Sequence, residues 1–319
     1  MTVEGVSVVI PSFNGRRLLE ANLPPLLAAL EASPFPTELV VVDDGSTDGT
    51  PAFLAEKYPH VTCLARTDNV GFGRAVNAGL AQARYSLVYL LNNDIVVRKE
   101  FLEPLVAHFV DTDVFAVCPK ALDPAGRPIH TRMGIAFEQG RLKLQRNDDR
   151  GTLSTAAPTM FALEGASLFD KAKLLSFGGF DVLYEPAYME DVDSSWQAWA
   201  AGWRVVYEPA SVIVHDHLST MGNIWSRGIR ERLHRRSEWL FTWKHLNDRG
   251  LWLQHVLFVP LLLLAAPFAG RINLTLSFFQ ALAHLGAVRE ARRRAQATRR
   301  LSEQEIIRRV MVPPPPPER

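Results

Sequence analysis

The stretch that decides the fold runs from Val8 to Asn14 and reads VVIPSFN, a run of apolar residues that ends in polar ones. Residues 41–46 (VVDDGS) and 90–94 (LLNND) repeat this design later in the chain. A buried parallel strand that delivers polar groups to its carboxyl end has this pattern. Because ligands bind at that edge in open α/β sheets, the three runs together predict a ligand site.

The hydrophobic pattern alternates between strand and helix through the first third of the chain. We expect strands at residues 6–10, 39–43, 61–64, 87–91 and 114–119, with helical patterns between them. The order β-α-β-α-β-α-β-α-β predicts an α/β fold with a Rossmann-like, mostly parallel sheet flanked by helices.

Other local signals refine this organisation. Pro24-Pro25 is expected to kink or split the first helix. Residues 121–158 are polar and turn-rich, which indicates a hairpin or a mobile flap. A helix is expected from about Asp191 to Ala201, followed by strands at 204–207 and 211–214.

Composition places the chain among ordinary globular proteins. Of its 319 residues, 47% are hydrophobic and 22% are charged, and the formal net charge of +1 gives no reason to expect nucleic-acid binding. Cys63 and Cys118 lie far apart in apolar stretches, which indicates buried reduced thiols. The apolar run at 6–10 is too short for a signal peptide, so we expect the catalytic part to stay in a reducing cytoplasm.

Charge and hydrophobicity are unevenly placed in the last third of the chain. Residues 225–250 carry seven Arg or Lys against three acids, and residues 271–310 carry nine Arg against three acids. Between them, Leu251 to Ala269 are nineteen residues without a formal charge when His255 is neutral. This length approaches the roughly 20 residues of a membrane-crossing helix, but Pro260 interrupts it. The sequence favours a monotopic or re-entrant element at the inner membrane face and leaves open a full span, a core helix or a dimer surface.

Two loops carry candidate ligand-binding groups. Asp43-Asp44 ends the second predicted strand, where a carboxylate can accept hydrogen bonds from a base N–H or ribose hydroxyls. The alternative is a turn in which Thr47 or Asp48 caps the next helix. The loop at residues 69–74 is similar to a phosphate-cradling loop, and Arg74 either faces the ligand phosphates or is solvated.

A candidate metal site combines two strand ends. Asp94 ends an apolar strand, where an unpaired carboxylate would be costly, and a divalent cation bridging it to a diphosphate would remove that cost. His215 follows a later strand and can complete the site, with His217 as the rival ligand. The alternatives are a simple turn at Asp94 and structural histidines.

The candidate general base lies in Glu190-Asp191, at the start of a helix whose apolar stripe includes Trp196 and Trp199. The helix dipole favours an ionised carboxylate at this position. An ionised Asp can take a proton from an attacking hydroxyl, although capping of the helix is the alternative role.

The ordered set of motifs over residues 5–250 resembles glycosyltransferase family 2, whose members are inverting enzymes with a GT-A fold. The motifs are those at residues 9–14, 43–50, 69–72, 92–94, 178–181, 190–193 and 215. Leu91-Asn92-Asn93-Asp94, together with Arg235-Arg236 and Lys244-His245, resembles the rhamnosyltransferase-like branch.

The resemblance implies a role for each matching residue. Asp191 would be the catalytic base, with Glu190 beside it contacting the acceptor. Asp94 would hold Mg²⁺ or Mn²⁺ on the diphosphate, with support from His215. Asn92 replaces the first carboxylate of the family's Asp-x-Asp element, which leaves one carboxylate for the metal. The expected contacts to the nucleotide sugar are Pro11, Phe13, Asp43, Asp44, Asn69, Gly71, Arg74, Asn92 and Asn93.

The implied reaction is a single in-line displacement from a dTDP-, UDP- or GDP-linked sugar to a glycan or lipid-linked acceptor, in cell-surface polysaccharide synthesis. A nucleotidyltransferase would need a Gly-rich basic loop after the first strand, and a non-catalytic glycan- or nucleotide-binding relative would lack Asp94 or Asp191. We expect the catalytic domain at residues 1–220, a helical membrane-associating extension at 221–310 and a disordered proline-rich tail at 311–319. A homodimer is left open.

Overall fold

The computed structural model describes residues 3–130, 132–146, 154–163, 165–215 and 225–311. Within these ranges the protein has an α/β architecture in which helices flank a large mixed sheet. The strands are β1 (Val6–Ser12), β2 (Thr37–Asp43), β3 (Thr62–Ala65), β4 (Leu87–Leu91), β5 (Ile95–Val97), β6 (Val114–Leu122), β7 (Pro128–His130), β8 (Met133–Glu138), β9 (Arg141–Arg146), β10 (Ala157–Pro158), β11 (Ala166–Asp170) and β12 (Arg204–His215). The helices are α1 (Arg16–Glu31), α2 (Thr50–Lys57), α3 (Phe72–Gln82), α4 (Leu102–Val106), α5 (Lys171–Ser176), α6 (Glu190–Ala200), α7 (Arg227–His245), α8 (Arg249–Ala265), α9 (Ile272–Leu282), α10 (Leu285–Ala297) and α11 (Glu303–Val310).

The main sheet is mostly parallel, as the sequence predicts. Its order is β10-β12-β6-β11-β4-β1-β2-β3. Strands β1 to β4 form one parallel block, and β6 pairs with β12 in parallel. Strand β11 lies between the two blocks and is antiparallel to both β4 and β6. The carboxyl ends of the parallel strands therefore lie at one edge of the sheet.

The chain after β6 departs from the simple alternation. The two strands expected near residues 204–214 are one strand, β12, whose pairing with β6 shifts register between Glu208 and Val212. The short strand β5 was not expected and pairs with the end of β12. The expected hairpin within residues 121–158 is present as β8 and β9, while residues 147–153 lie outside the described ranges.

Helix α1 is continuous, although Pro24 and Pro25 lie inside it. The expected split is therefore absent. Leu19, Leu23 and Leu26 are buried on one face of the helix. Packing of this face compensates for the backbone hydrogen bonds that the two prolines remove.

Alternate residues of β1 face two apolar cores, one on each side of the sheet. Val8 and Ile10 pack in the core that contains α1, and Val9 packs in the core that contains α3. Cys118 is buried in the second core, Cys63 is partly buried against the first, and both are free thiols.

The C-terminal helices pack against the sheet-containing part of the chain. Arg141 of β9 forms an ion pair of 3.3 Å with Glu238 of α7. The backbone amides of Arg300 and Leu301 donate to the carbonyl of Ala200, at the end of α6. Within the described ranges, no helix combines the length and the apolar composition that crossing a membrane requires.

Candidate active site

Strand pairing brings the predicted site residues to the carboxyl edge of the sheet. Ser12 lies opposite Asp43 in the β1–β2 ladder, and β4 pairs with β1 on its other side. In the second parallel block of the sheet, β5 pairs with the last residues of β12, and Ile95 therefore lies opposite His215. The loops that follow β1, β2 and β4 thus leave the sheet as neighbours.

Asp44 holds the loop before α3. Its two carboxylate oxygens accept hydrogen bonds from the backbone amides of Val70 (3.1 Å) and Gly71 (3.0 Å). Arg66 lies 3.6 Å from the same carboxylate. Asn69 contributes a further acceptor for the Gly71 amide at 3.1 Å. Asp44, Asn69 and Gly71 are therefore brought together, and the Asp44 carboxylate orders the loop that was predicted to cradle phosphates.

Asp43 differs from Asp44 in its hydrogen bonding. The residue is only 1% exposed, and its Oδ2 accepts a hydrogen bond from the Ser46 amide. Its Oδ1 is buried and has no hydrogen-bond partner among the described residues. A buried acceptor of this kind needs a donor, which a ligand N–H or hydroxyl can supply.

The remaining residues of the β1 end vary in exposure. Pro11 lies opposite Val42 and is partly buried, whereas the Phe13 side chain is 41% exposed. The next helix start does not depend on a ligand, because Asp48 accepts hydrogen bonds from the amide and hydroxyl of Thr50. Asp48 therefore has the capping role that the sequence left open, and the ligand role of Asp43 and Asp44 stays a prediction.

Asn92 and Asn93 contact different neighbours. Asn93 is buried and donates a hydrogen bond from its side chain to Ser12 Oγ at 3.0 Å, which ties the end of β4 to the end of β1. Asn92 packs against Gly165, where an added Cβ would lie 2.3 Å from Asn92 Nδ2. The predicted ligand contacts of these two asparagines stay predictions.

The pair predicted to hold the metal is brought together. Asp94 Oδ1 lies 3.4 Å from His215 Nε2, and both side chains are nearly buried. Neighbouring ligands of an octahedral cation with bonds of about 2.1 Å are roughly 3 Å apart, so this spacing fits two ligands of one ion. Within the described residues, no group of three or more His, Cys, Asp or Glu could hold a metal. His217 lies outside the described residues.

Arg74 has a partner that the sequence did not indicate. Its Nε lies 3.1 Å from Glu185 Oε1, with the Arg74 side chain 54% exposed. Glu185 also lies beside Gly71, since an added Cβ there would be 3.4 Å from the Glu185 carboxylate. The segment before α6 therefore lies against the loop that Asp44 orders.

The start of α6 combines backbone strain with two acids. Tyr188 and Met189 have φ values of 78° and 82°, in the left-handed region that side chains disfavour. Burial raises the pKa values of both Glu190 and Asp191, and the nearby Asp191 charge raises that of Glu190 further. Asp191 Oδ1 accepts a hydrogen bond from the Val192 amide at 2.7 Å. A carboxyl with a raised pKa is suited to proton transfer near neutral pH.

Asp193 organises a buried cluster that was not predicted as part of the site. Its carboxylate lies 2.7 Å from Lys244 Nζ, and it accepts hydrogen bonds from Tyr184 Oη (2.7 Å) and Gln197 Nε2 (2.8 Å). His245 Nε2 lies 2.6 Å from the other side of the carboxylate. The acid at 193 and the Lys244-His245 pair were visible as motifs, but their meeting depends on how α7 packs on α6.

The Asp193 cluster has a defined charge state. Burial alone would raise the pKa of Asp193, but the Lys244 charge and the hydrogen bonds from Lys244 and His245 hold it far below its ordinary range. Burial lowers the pKa of His245 to about 4, so the neutral imidazole donates through Nε2. Asp193 and Lys244 thus form a buried ion pair that joins α6 to α7.

Contacts also join α6 to the end of β4. Ser195 Oγ accepts a hydrogen bond from the Ala162 amide at 3.1 Å, and Gly165 a few residues later packs on Asn92. Helix α6, which begins with Glu190 and Asp191, therefore contacts the connection before β11, and Gly165 of that connection packs on the residue that follows β4.

Two cavities of the described structure lie away from these residues. One, of about 490 Å³, lies between α7, α8, α9 and α10 and is lined by residues such as Trp243 and Val256. The other, of about 560 Å³, is lined by residues that include Arg98 and Pro104. Neither of these two cavities has a predicted site residue in its lining.

Comparison with known proteins identifies related sequences. The model of the family "Glycosyl transferase family 2" matches residues 7–171. The pre-mycofactocin glycosyltransferase of Mycobacterium tuberculosis is 27% identical over 215 residues, which cover 66% of this chain and 43% of that protein. The N-acetylglucosaminyl-diphospho-decaprenol L-rhamnosyltransferase of the same organism is 27% identical over 229 residues, which cover 63% of this chain and 74% of that protein. The chain thus spans less than half the length of the first of these relatives.

Solved structures share the fold. The mannosyltransferase PcManGT from Pyrobaculum calidifontis, in complex with GDP-Man and Mn²⁺, aligns with a TM-score of 0.55 and 21% identity. The alignment covers 96% of this chain and 83% of that one. The α/β architecture predicted from the sequence, a GT-A fold, is confirmed.

Proposed function

The chain belongs to glycosyl transferase family 2, and on that premise we propose that it moves a sugar from a nucleoside-diphosphate donor to an acceptor hydroxyl. The observation that carries the proposal is the meeting of Asp94 and His215, 3.4 Å apart, at the sheet edge where Asp43 and Asp44 also end their strand. This edge is where α/β sheets bind ligands.

We assign the donor's nucleoside to the ends of β1 and β2. The buried Oδ1 of Asp43 can accept a hydrogen bond from a base N–H or a ribose hydroxyl, and the exposed ring of Phe13 can stack on a base. Asp44 acts by holding Val70 and Gly71 in place. Arg74, whose side chain is 54% exposed, contacts the diphosphate by exchanging Glu185 for phosphate oxygens.

Asp94 and His215 would hold a divalent cation, Mg²⁺ or Mn²⁺, whose positive charge would stabilise the departing diphosphate. Their spacing fits two ligands of one ion, and both side chains are nearly buried. The mannosyltransferase with the same fold was solved with Mn²⁺, which supports the assignment.

Asp191 is the base in the proposed reaction. Its raised pKa makes the carboxylate a stronger acceptor for a proton. Its position in the first turn of α6 stabilises the ionised Asp191 carboxylate, which is the form that acts as a base. Asp191 takes the acceptor's hydroxyl proton while the acceptor oxygen bonds to the anomeric carbon. The bond from that carbon to the diphosphate breaks on the opposite face, so the configuration inverts.

The finer assignments follow from the sequence and its relatives. We propose a rhamnosyl or hexosyl donor and a glycan or lipid-linked glycan acceptor at the inner face of the cell membrane. One relative carries the name of a rhamnosyltransferase that acts on a decaprenol-linked sugar, which supports this choice. The catalytic part corresponds to residues 1–220 and the helical extension to residues 221–310.

The proposal is tested by following nucleoside-diphosphate release from dTDP-rhamnose, UDP-hexoses and GDP-mannose, with Mn²⁺ present. Asp191→Asn should lower the rate by about 10²- to 10⁴-fold and leave calorimetric binding of the nucleoside diphosphate unchanged. Asp111→Asn is the matched control, because Asp111 precedes β6 at the opposite edge of the sheet and is exposed. Binding of a nucleotide without turnover of any donor would identify a non-catalytic relative instead.

A further inference from the structure

Helices α8 and α9 each present a row of exposed apolar side chains. On α8 the spacing of three and four residues places them on one face. Five of these side chains are 59% to 70% exposed, and Phe268 in the turn that follows α8 is 94% exposed. Helix α9 adds Ile272, Leu276 and Phe279, again at helical spacing. We call this surface the apolar face: Leu253, Val256, Leu257, Leu261, Leu264, Phe268, Ile272, Leu276 and Phe279.

The opposite sides of the same helices are packed. His255 and Val259 are the buried residues of α8. His255 Nε2 accepts a hydrogen bond from Trp243 Nε1 at 3.1 Å, and its Nδ1 donates to the carbonyl of Gly140. On α9, Leu274 and Ser277 are buried against the rest of the chain. The apolar face is therefore held rigidly by α7 and by the turn of the β8–β9 hairpin, and it points away from the core.

The segment that carries the apolar face has charges of one sign. Residues 249–289 contain no Asp or Glu, and their charged residues are Arg249, Arg271 and Arg289. All three arginines are exposed. These arginines flank the apolar side chains along the chain, and an anionic surface complements them.

We propose that the apolar face docks the protein onto an anionic lipid bilayer, with its helices lying in the headgroup region. An apolar surface of this kind buries about 5–10 Å into the boundary between headgroups and acyl chains. Helix α8 has 17 residues, fewer than the roughly 20 that a crossing helix needs, which fits a helix that lies in the interface. Arg249, Arg271 and Arg289 then contact lipid phosphates.

The cavity of about 490 Å³ opens onto the same surface. Val256 belongs both to its lining and to the apolar face, and Arg289 lies beside it. The volume lies within the roughly 300–1,000 Å³ of ligand pockets. In the docked state this cavity receives one acyl chain of a bilayer lipid, and the headgroup of that lipid lies near Arg289.

The experiment is co-sedimentation of the full chain with vesicles of pure phosphatidylcholine and with vesicles of equal parts phosphatidylcholine and phosphatidylglycerol, at low and high salt. We expect binding to the anionic vesicles that weakens at high salt. Arg249→Gln, Arg271→Gln and Arg289→Gln should each lower the partition constant by about five-fold. Leu257→Glu combined with Leu261→Glu should abolish binding.

The control is Val110→Glu, because Val110 is 69% exposed and lies before β6, outside the apolar face. This variant should bind vesicles like the unaltered protein, and thermal unfolding checks that every variant is folded. Two results would overturn the proposal: protein that stays in the supernatant with anionic vesicles, or a dimer in sedimentation velocity that Leu261→Glu dissociates. Donor hydrolysis in vesicle-free buffer should be unaffected by these substitutions, so a failure here is distinguishable from a failure of the proposed reaction.

Discussion

The ammonium nitrogen of Lys244 lies 2.7 Å from Oδ2 of Asp193, although 51 positions separate the two residues in the sequence. Both side chains are about 1% exposed, and Asp193 lies two residues after Asp191 in the same helix. Asp181 also accepts a hydrogen bond from Lys244 at 2.8 Å. This relationship fixes the helix of the proposed base to the first helix of the C-terminal part.

Asp193→Asn should strongly destabilise the fold, because it leaves the Lys244 ammonium buried with less opposing charge. Removal of one partner of a buried pair costs about 3–5 kcal/mol. The free energy of unfolding from urea denaturation measures the change. Glu305→Gln is the control, because Glu305 forms an exposed pair of 2.8 Å with Arg309 and should cost less than about 1 kcal/mol. Equal losses in the two variants would show that the buried pair has no special role.

The pH dependence of stability should change in Asp191→Asn. Burial raises the folded-state pKa of Asp191, so between the unfolded value of about 3.9 and the folded value the folded protein binds more protons. This carboxyl therefore lowers the free energy of unfolding as pH rises through that window. Asp191→Asn removes the effect, and its stability relative to the unaltered protein should increase from pH 4 toward neutral pH. A constant difference across the window would contradict a raised pKa.

The pH profile of sugar transfer should have an ascending limb that reports the ionisation of Asp191. A base must be ionised, so kcat/KM should rise with pH through the raised pKa of Asp191, well above the ordinary Asp value of about 3.9. Glu190→Gln should lower the midpoint of that limb, since it removes a neighbouring acid that is linked to Asp191 electrostatically. An unchanged midpoint would place the titration elsewhere.

Asp94→Ala and His215→Ala should each raise the Mn²⁺ concentration needed for half-maximal activity. Changes in residues that only support a metal ligand already cost about 10- to 100-fold in affinity, so loss of a ligand should cost at least as much. His108→Ala is the matched control, because His108 forms another His–carboxylate pair, 2.6 Å from Glu208. The assignment fails if all three variants have the same metal requirement.

Alanine substitutions at two helical glycines should change the stability of the fold in opposite directions. A Cβ on Gly79 in α3 would lie 2.3 Å from Val9 Cγ1 and 3.0 Å from Val42 Cγ2. Gly79→Ala should therefore destabilise the fold by about 1–3 kcal/mol. A Cβ on Gly286 in α10 would meet nothing within 4 Å, so Gly286→Ala should stabilise by up to about 1 kcal/mol. Chemical denaturation measures both, and a gain for Gly79→Ala would show that β1 and β2 can shift.

Much of the catalytic part could be predicted from local pattern. The strands that end in Asp43 and Leu91 are apolar runs followed by polar residues, and parallel pairing then places their ends at one edge whatever the details of packing. The same pattern predicts that Asp94 and His215 lie near each other at that edge, because each follows an apolar run.

Other features depend on contacts between distant segments. The insertion of β11 between β4 and β6 reverses one strand of the sheet, and nothing in the pattern of residues 166–170 indicates its neighbours. Glu185 gave no signal as a partner for Arg74. The backbone strain at Tyr188 and Met189 is likewise invisible in their side chains, since it follows from how the segment is held at both ends.

The sequence by itself determined which residues end the strands and which helix begins with two acids, because hydrophobic periodicity and helix-start chemistry are local properties of the chain. Only the tertiary structure decided that Asp44 holds a loop while Asp43 keeps an acceptor available. It also decided that Asp193 is neutralised by Lys244 and that α8 leaves one apolar side exposed. Those outcomes depend on contacts between segments that are distant in the sequence. Burial and charge compensation arise only when both segments are in place, so neither segment predicts them alone.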